Sequence, residues 1–145
     1  MENLEFGYWH ILDKKIANKP PLTYLKDYKG EENISLAITQ LGTSAKEQSQ
    51  VVNEWCDFFK YEKTPIKVIS FNTRISQKIF DSVCMQSQLE GLWIKWGVYP
   101  NIDNIQMLVR LKYLHLGGGA SIENVASLKL LTELISFEAS HLYKI

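Results

Sequence analysis

At 145 residues the chain can bury one hydrophobic core but not two independent ones, and its 46% apolar share is ordinary for a globular protein. Sixteen basic and sixteen acidic residues cancel, so the sequence lacks the positive field that attracts nucleic acid. No stretch approaches the roughly eighteen apolar residues of a membrane span, and Met1 to Leu12 lacks the basic start of a secretory signal. We therefore expect a cytoplasmic protein with no nucleic-acid or membrane partner.

The beginning of the chain carries strand-like and turn-like stretches. Leu4 to Leu12 mixes aromatic and aliphatic residues over the length of a strand. Pro20-Pro21 then excludes a helix interior or a central strand at that point. Ile34 to Leu41 alternates apolar with small or polar residues, which predicts a strand over 34–41.

The clearest helix follows this strand. Ser44-Ala-Lys-Glu47 is a capping-box sequence, in which the Ser hydroxyl accepts from a backbone N–H that the first helical turn leaves unpaired. Pro65 ends any helix before it. The pattern predicts a helix over 44–60 with these apolar residues on one face: Val51, Val52, Trp55, Phe58 and Phe59.

Beyond this helix, one apolar pattern recurs with a nearly constant period. In each copy the first and fourth positions are apolar, and in most copies the sixth is too. A second signal between the copies places apolar residues three apart, as at Ile102, Ile105 and Leu108, which predicts short helical or 3₁₀ turns. The copies begin at Ile66, Leu89, Leu111 and Leu131.

This pattern resembles the leucine-rich repeat family, whose motif L-x-x-L-x-L-x-x-N/C-x-L recurs with a period of roughly 20 to roughly 29 residues. The resemblance covers roughly the second half of the chain. It implies an α/β fold, namely a right-handed β/α solenoid with a parallel sheet, and a binding function. The chain departs from the motif at the family's Asn position, so the Asn side-chain ladder is absent; the residues there are Arg74, Gly97, Gly119 and Ala139.

The resemblance also implies a domain organisation. Residues 1–145 are expected to form a single domain, with leucine-rich repeats over 65–145. Residues 1–64 are then an atypical α/β N-terminal cap, because a terminal unit must cover the core that an interior neighbour otherwise covers. The alternative is that this first segment forms a separate small α+β subdomain.

The repeat frame also predicts a binding surface. Alternate strand residues point away from the core and form the concave face, whose middle column is Ser70, Trp93, His115 and Ile135. Trp and Tyr are common anchors of protein interfaces. The alternative is that the aromatic residues only pack against each other across neighbouring strands. The predicted protein-binding residues are Trp93, Lys95, Trp96, Tyr113, His115, Ile135 and Phe137.

The sequence offers no catalytic, cofactor or metal motif. Gly117-Gly-Gly119 lacks the Lys-Ser/Thr of a phosphate-binding loop and falls at a turn, where Gly tolerates positive φ. His115 has no carboxylate at a spacing that would orient it, and the histidines lack metal-ligand spacing. Cys56 and Cys84 are expected to be buried thiols rather than a disulfide. We therefore expect no enzymatic activity, no cofactor and no bound metal.

The leading functional prediction is a non-catalytic interaction scaffold that binds a protein or peptide on its concave, aromatic-bearing face. The alternative is a terminal fragment of a longer leucine-rich-repeat protein without independent activity, since Leu142-Tyr-Lys-Ile145 resembles the start of another return segment. An uncapped last repeat exposes a strand edge and part of the core. The chain is therefore also expected to form a homodimer through its open C-terminal repeat.

Overall fold

The fold is known from a computed structural model, which describes residues 20–142. The strand expected over Leu4 to Leu12 and the final residues 143–145 lie outside the described residues. Within them, the architecture is α/β: a parallel sheet of five strands, a small second sheet and two α-helices. No helix in the described part of the chain is both long and apolar enough to cross a membrane.

The strands of the main sheet are all parallel, as the repeat pattern predicts, and follow the order β1-β2-β4-β6-β7. Their bounds are β1 Asn33–Leu36, β2 Val68–Phe71, β4 Gly91–Ile94, β6 Tyr113–Leu116 and β7 Ser136–Ala139. The small sheet pairs two further short strands in parallel, β3 Ile75–Ser76 and β5 Gly97–Val98.

Helix α1, Ala45–Tyr61, confirms the helix predicted over 44–60. Ser44 is its N-cap, and the Ser44 hydroxyl accepts from the Glu47 N–H at 3.2 Å, as the capping sequence predicts. The second helix, α2, Gln77–Val83, begins in the same way at Ser76, whose side chain accepts from the Ile79 N–H. The two helices pack against each other.

The strand predicted over 34–41 is shorter than expected and ends at Leu36. Beyond it, the Thr39 side chain bonds to the Thr73 hydroxyl rather than continuing a ladder. Gln40 has a φ of 58°, which turns the chain toward α1. The apolar alternation persists past the strand because this loop still buries Ile38 in the core.

Equivalent positions recur along the sheet at nearly constant spacing. Val68 pairs with Gly91, and Gly91 pairs in turn with Tyr113, so each strand follows the previous one by nearly the same length of chain. Ile66, Leu89 and Leu111, each just before its strand, therefore occupy equivalent places. All three are fully buried.

The last predicted repeat start, Leu131, lies one step of the pattern too early. Tyr113 pairs with Ser136, so the equivalent of Leu111 is Leu134. Leu131 instead ends the 3₁₀ segment Ala126–Leu130. The error arose because apolar residues three positions apart lead into each strand. The repeat pattern therefore fits the sequence equally well when its start is placed one such spacing earlier.

The core lies on one face of the main sheet. Strand residues at the fourth and sixth repeat positions point into it and are at most 3% exposed from β1 to β6. The helices and the 3₁₀ segment Asp103–Met107 supply further buried residues to the same cluster. Leu128, in the neighbouring 3₁₀ segment Ala126–Leu130, is partly buried against it. Cys56 and Cys84 are buried free thiols, as expected.

Candidate functional site

Outward-facing residues form straight rows across the sheet because its strands are parallel and in register. The middle row holds the predicted neighbours Trp93 and His115. The prediction that Ile135 continues this row is wrong, because the last repeat begins at Leu134 rather than at Leu131. The row, in strand order, is Ser35, Ser70, Trp93, His115 and Glu138.

The row contains a stacked pair of rings that ends at a carboxylate. The rings of Trp93 and His115 are parallel to within 15°, with centroids 5.1 Å apart. On the other side, the His115 Nδ1 lies 4.0 Å from the Glu138 Oε2. The sequence has no carboxylate at a spacing that would orient His115, and the Glu138 carboxylate approaches it only through the pairing of β6 with β7. This separation is longer than the roughly 2.6–3.2 Å of a catalytic hydrogen bond.

Tyr113 is on the predicted face but is poorly accessible. It pairs with Gly91 on β4 and is only 5% exposed. The pKa of the Tyr113 hydroxyl is raised, mainly by burial. The Lys112 ammonium lowers this pKa, and the Glu90 carboxylate raises it further. Tyr113 therefore contributes packing to the outer face rather than an open contact surface. In contrast, the side chain of His115 is 21% exposed.

Lys95 and Trp96 follow β4 directly and are both exposed. The Arg74 guanidinium carbon lies 5.7 Å from the Trp96 ring centroid, within reach of a cation–π interaction. A Cβ at Gly118 would lie 2.7 Å from the Trp96 Cβ, and Gly118 has a φ of +60°. The predicted structural role of the glycine triplet is confirmed, because its backbone passes too close to Trp96 for a side chain.

Sequence reasoning missed Arg74 and Glu138. Arg74 directly precedes β3, and Trp96 directly precedes β5, so the pairing of these two strands places Arg74 next to Trp96. The distance along the chain from Arg74 to Trp96 matches one repeat and could have indicated this contact. Glu138 could be found only with the correct start of the last repeat.

Phe137 points to the core side of the sheet rather than to the concave face, and Ile135 takes the position equivalent to Lys112, just before the strand. Phe137 pairs with Leu114, whose side chain points into the core, so Phe137 points to the same side. It is nevertheless 41% exposed, because β7 is the last strand of the described sheet. Ile135 precedes β7 and is exposed as well. The predicted site therefore separates into two surfaces.

A cleft of about 460 Å³ lies at the C-terminal end of α1. The buried Gln86 lines part of this cleft. The Gln86 Nε2 donates to the carbonyls of Phe59 and Glu62 at 2.7 and 2.8 Å. These bonds satisfy carbonyls that the end of the helix leaves unpaired. Gln86 therefore has a structural role. No cluster of three His, Cys, Asp or Glu residues within 20–142 could hold a metal ion.

Comparisons of the chain with models of protein families, with curated proteins and with solved structures yield no match in any of the three. The function must therefore be inferred from the geometry of the chain itself. That geometry offers an outer-face patch that combines aromatic and charged side chains. We define the outer-face patch as Arg74, Trp93, Lys95, Trp96, His115 and Glu138.

Proposed function

We propose that the chain is a short solenoid of the leucine-rich-repeat type and that it acts as a non-catalytic interaction module for a protein or peptide. Strand positions that pair at a nearly constant step along the chain support the repeat architecture. Two buried free thiols support the cytoplasm as its location, because disulfides are rare there.

The observation that carries the proposal is the stacked Trp93–His115 pair on the outer face of the sheet. The core of the domain lies on the opposite face, so these rings contribute little to the cluster that holds the fold together. A flat aromatic surface flanked by charges is typical of interface anchors, where Trp, Tyr and Arg are enriched.

The charges of the outer-face patch favour one orientation of the partner. Arg74 and Lys95 give it a cationic side around Trp96, and Glu138 gives it an anionic end beyond His115. A complementary partner segment presents a carboxylate near the cationic side and a basic group near Glu138. Such complementarity sets specificity and the rate of association more than total affinity.

Two pairs of matched variants test this surface. Lys95→Glu and Trp96→Ala change the outer-face patch. Lys129→Glu and Met107→Ala change equally exposed residues of the 3₁₀ segments behind the core. Each variant is used as bait for affinity capture with quantitative mass spectrometry, followed by calorimetry with the purified partner. We expect the two patch variants to weaken binding by roughly 1–2 kcal/mol each and the controls to bind like wild type.

Circular dichroism and thermal unfolding of the four variants check that each chain is folded. A partner that binds both patch variants and both controls with equal affinity would contradict the assignment of the surface. Loss of binding only in Lys129→Glu and Met107→Ala would assign it to the opposite side of the molecule.

A further inference from the structure

Among residues 20–142, the outer main-chain edge of strand β7 has no paired strand. The Ser136 N–H donates to the Lys112 carbonyl at 3.0 Å, and the Ser140 N–H donates to the Leu116 carbonyl at 3.1 Å. Because main-chain groups alternate in direction along a strand, the N–H and C=O groups of Phe137 and Ala139 point away from β6. No strand within residues 20–142 pairs with β7 on that side.

Apolar side chains are exposed at the same end of the molecule. Phe137, Ile135 and Leu130 are all between 41% and 51% exposed, whereas every residue of β2 is buried. A strand edge bordered by exposed apolar side chains is a template for pairing with another strand.

We propose that two copies of this chain pair antiparallel through β7, about a two-fold axis at Phe137, so that their sheets become one. Glu138 also belongs to the outer-face patch, but the pairing is argued from the main-chain edge of β7, so the inference does not rest on the proposed binding function. A two-fold contact requires one strand to complement itself, and the sequence of β7 does so in the register centred on Phe137.

Some residues of β7 have N–H and C=O groups that point away from β6. These residues can pair only with residues of the other copy whose N–H and C=O groups also point away from its own β6. If the axis passed through Glu138, two carboxylates would face each other directly, which is destabilising. With the axis at Phe137, the two Phe137 side chains meet on the core face and exchange main-chain hydrogen bonds. Glu138 then faces Ser136 of the other copy.

The pairing of Ser136 with Glu138 supplies the complementarity that favours a second copy over an unrelated peptide. In a non-hydrogen-bonded antiparallel pair the side chains are at their closest, so the Ser136 hydroxyl can donate to the Glu138 carboxylate. The two-fold axis repeats this contact. Glu138 is exposed and Ser136 is partly exposed, so both can reach a second chain.

Disulfide trapping between single-cysteine variants tests the register. Opposite residues of such a pair have Cα atoms about 4.5 Å apart, which a disulfide can span, whereas residues two places out of register are too far apart. We expect a mixture of full-length Ser136→Cys and Glu138→Cys to form a covalent dimer under mild oxidation, and either variant alone to form little. The buried Cys56 and Cys84 give a low background, which the wild-type chain measures.

A proline variant tests the edge itself. Ala139→Pro removes an N–H that points away from β6, and such a position tolerates proline within the fold. We expect the dissociation constant of the dimer, measured by sedimentation equilibrium, to rise at least about tenfold. Ala139→Ser retains the N–H and serves as the matched control, and circular dichroism confirms that both variants fold.

Three results would overturn the proposal. The first is a wild-type chain that stays monomeric at its highest soluble concentration. The same holds if such a monomer uses β7 to bind a strand from a different protein. The second is more efficient trapping in Glu138→Cys alone than in the mixture, which would place the axis elsewhere. The third is a folded Ala139→Pro chain that dimerises as tightly as Ala139→Ser.

Discussion

The first strand of the sheet, β1, has a neighbour on its outer side, whereas the last strand, β7, has none among residues 20–142. The Leu22 N–H donates to the Ser35 carbonyl at 2.8 Å, and the Ala37 N–H returns a bond to the Leu22 carbonyl at 2.9 Å. These bonds satisfy edge groups of β1 that otherwise resemble those of β7. The two ends of one sheet thus differ in whether the edge is closed.

Helix α1 explains how the first end is closed. The Trp55 Nε1 donates to the Thr23 carbonyl at 2.8 Å and so holds the segment that pairs with β1. Around it, the rings of Tyr28 and Phe58 meet Trp55 edge to face. Because Pro20 and Pro21 lack an N–H, they discourage a further strand. The chain that contributes α1 makes the stretch between β1 and β2 longer than the stretch between β2 and β4.

The largest expected effect compares an aromatic residue at each end. We expect Trp55→Ala to lower the free energy of unfolding by about 3–5 kcal/mol, because Trp55 is fully buried and its N–H bond is lost as well. Phe137→Ala removes a side chain that is already 41% exposed and should cost about 1 kcal/mol. Urea unfolding at high dilution measures both, since dilution removes any contribution from self-association. Equal costs would contradict the contrast between the two ends.

A smaller effect is expected where Gln86 closes the C-terminal end of α1. Gln86→Leu leaves the carbonyls of Phe59 and Glu62 without this donor and fills the space that water could use. We expect a loss of about 2 kcal/mol in the free energy of unfolding, because a buried acceptor left unpaired costs roughly 1–3 kcal/mol. Gln50→Leu, on the exposed face of the same helix, is the matched control and should change stability by less than about 0.5 kcal/mol. A similar loss in both variants would show that Gln86 does not close the helix.

The sequence predicted the architecture of the closed end better than its details. The capping sequence at Ser44 and the apolar face of α1 each depend on neighbours within the chain, and both are confirmed. The strand predicted past Leu36 failed because its end depends on β2, whose last paired residue is Phe71. The bond from Trp55 to Thr23 joins residues far apart in the chain, and no local pattern reports such a contact.

At the open end, periodicity predicted that a strand exists but not at which residue its repeat begins. Leu128, Leu131 and Leu134 follow one another at steps of three, so each could start a repeat. Only the pairing of Ser136 with Tyr113 decides among them. Because the start of the last repeat was predicted one three-residue spacing too early, Ile135 was assigned to the row position that Glu138 occupies. The prediction that Trp93 and His115 are neighbours in the outward-facing row was correct, because the repeat phase is unambiguous there.

Alkaline pH should lower the stability of the chain through the buried Cys84 thiol. Burial, followed by the Asp81 charge, raises the pKa of the Cys84 thiol above its ordinary value. The folded chain then keeps a proton that the unfolded chain loses above about pH 8.5. The stabilisation is complete below that pH and is lost as pH rises toward the folded pKa. Between about pH 8 and about pH 9.5 we expect Cys84 to account for about 1 kcal/mol of lost stability.

Urea unfolding of Cys84→Ala at the two pH values isolates this contribution, because the variant should lose about 1 kcal/mol less than wild type. Phe137→Cys, kept reduced and dilute, is the control at the open end. Its thiol is expected to be solvent-accessible, so it should ionise similarly in both states and add no pH dependence. An unchanged pH dependence in Cys84→Ala would show that this thiol does not titrate on unfolding.

The smallest expected effect lies in the hydrogen exchange of single edge amides. Ala37 and Ala139 carry edge N–H groups of β1 and β7, but only the Ala37 N–H has a partner among residues 20–142, the Leu22 carbonyl. In dilute solution we expect the Ala139 and Phe137 amides to exchange at nearly intrinsic rates and the Ala37 and Ser136 amides to be protected, as NMR would measure. At higher concentration the Ala139 and Phe137 amides should become protected if β7 pairs with a second copy. If instead the Ala139 amide is as protected as the Ala37 amide at every dilution, the edge of β7 is covered within one chain, and the two ends of the sheet are closed alike.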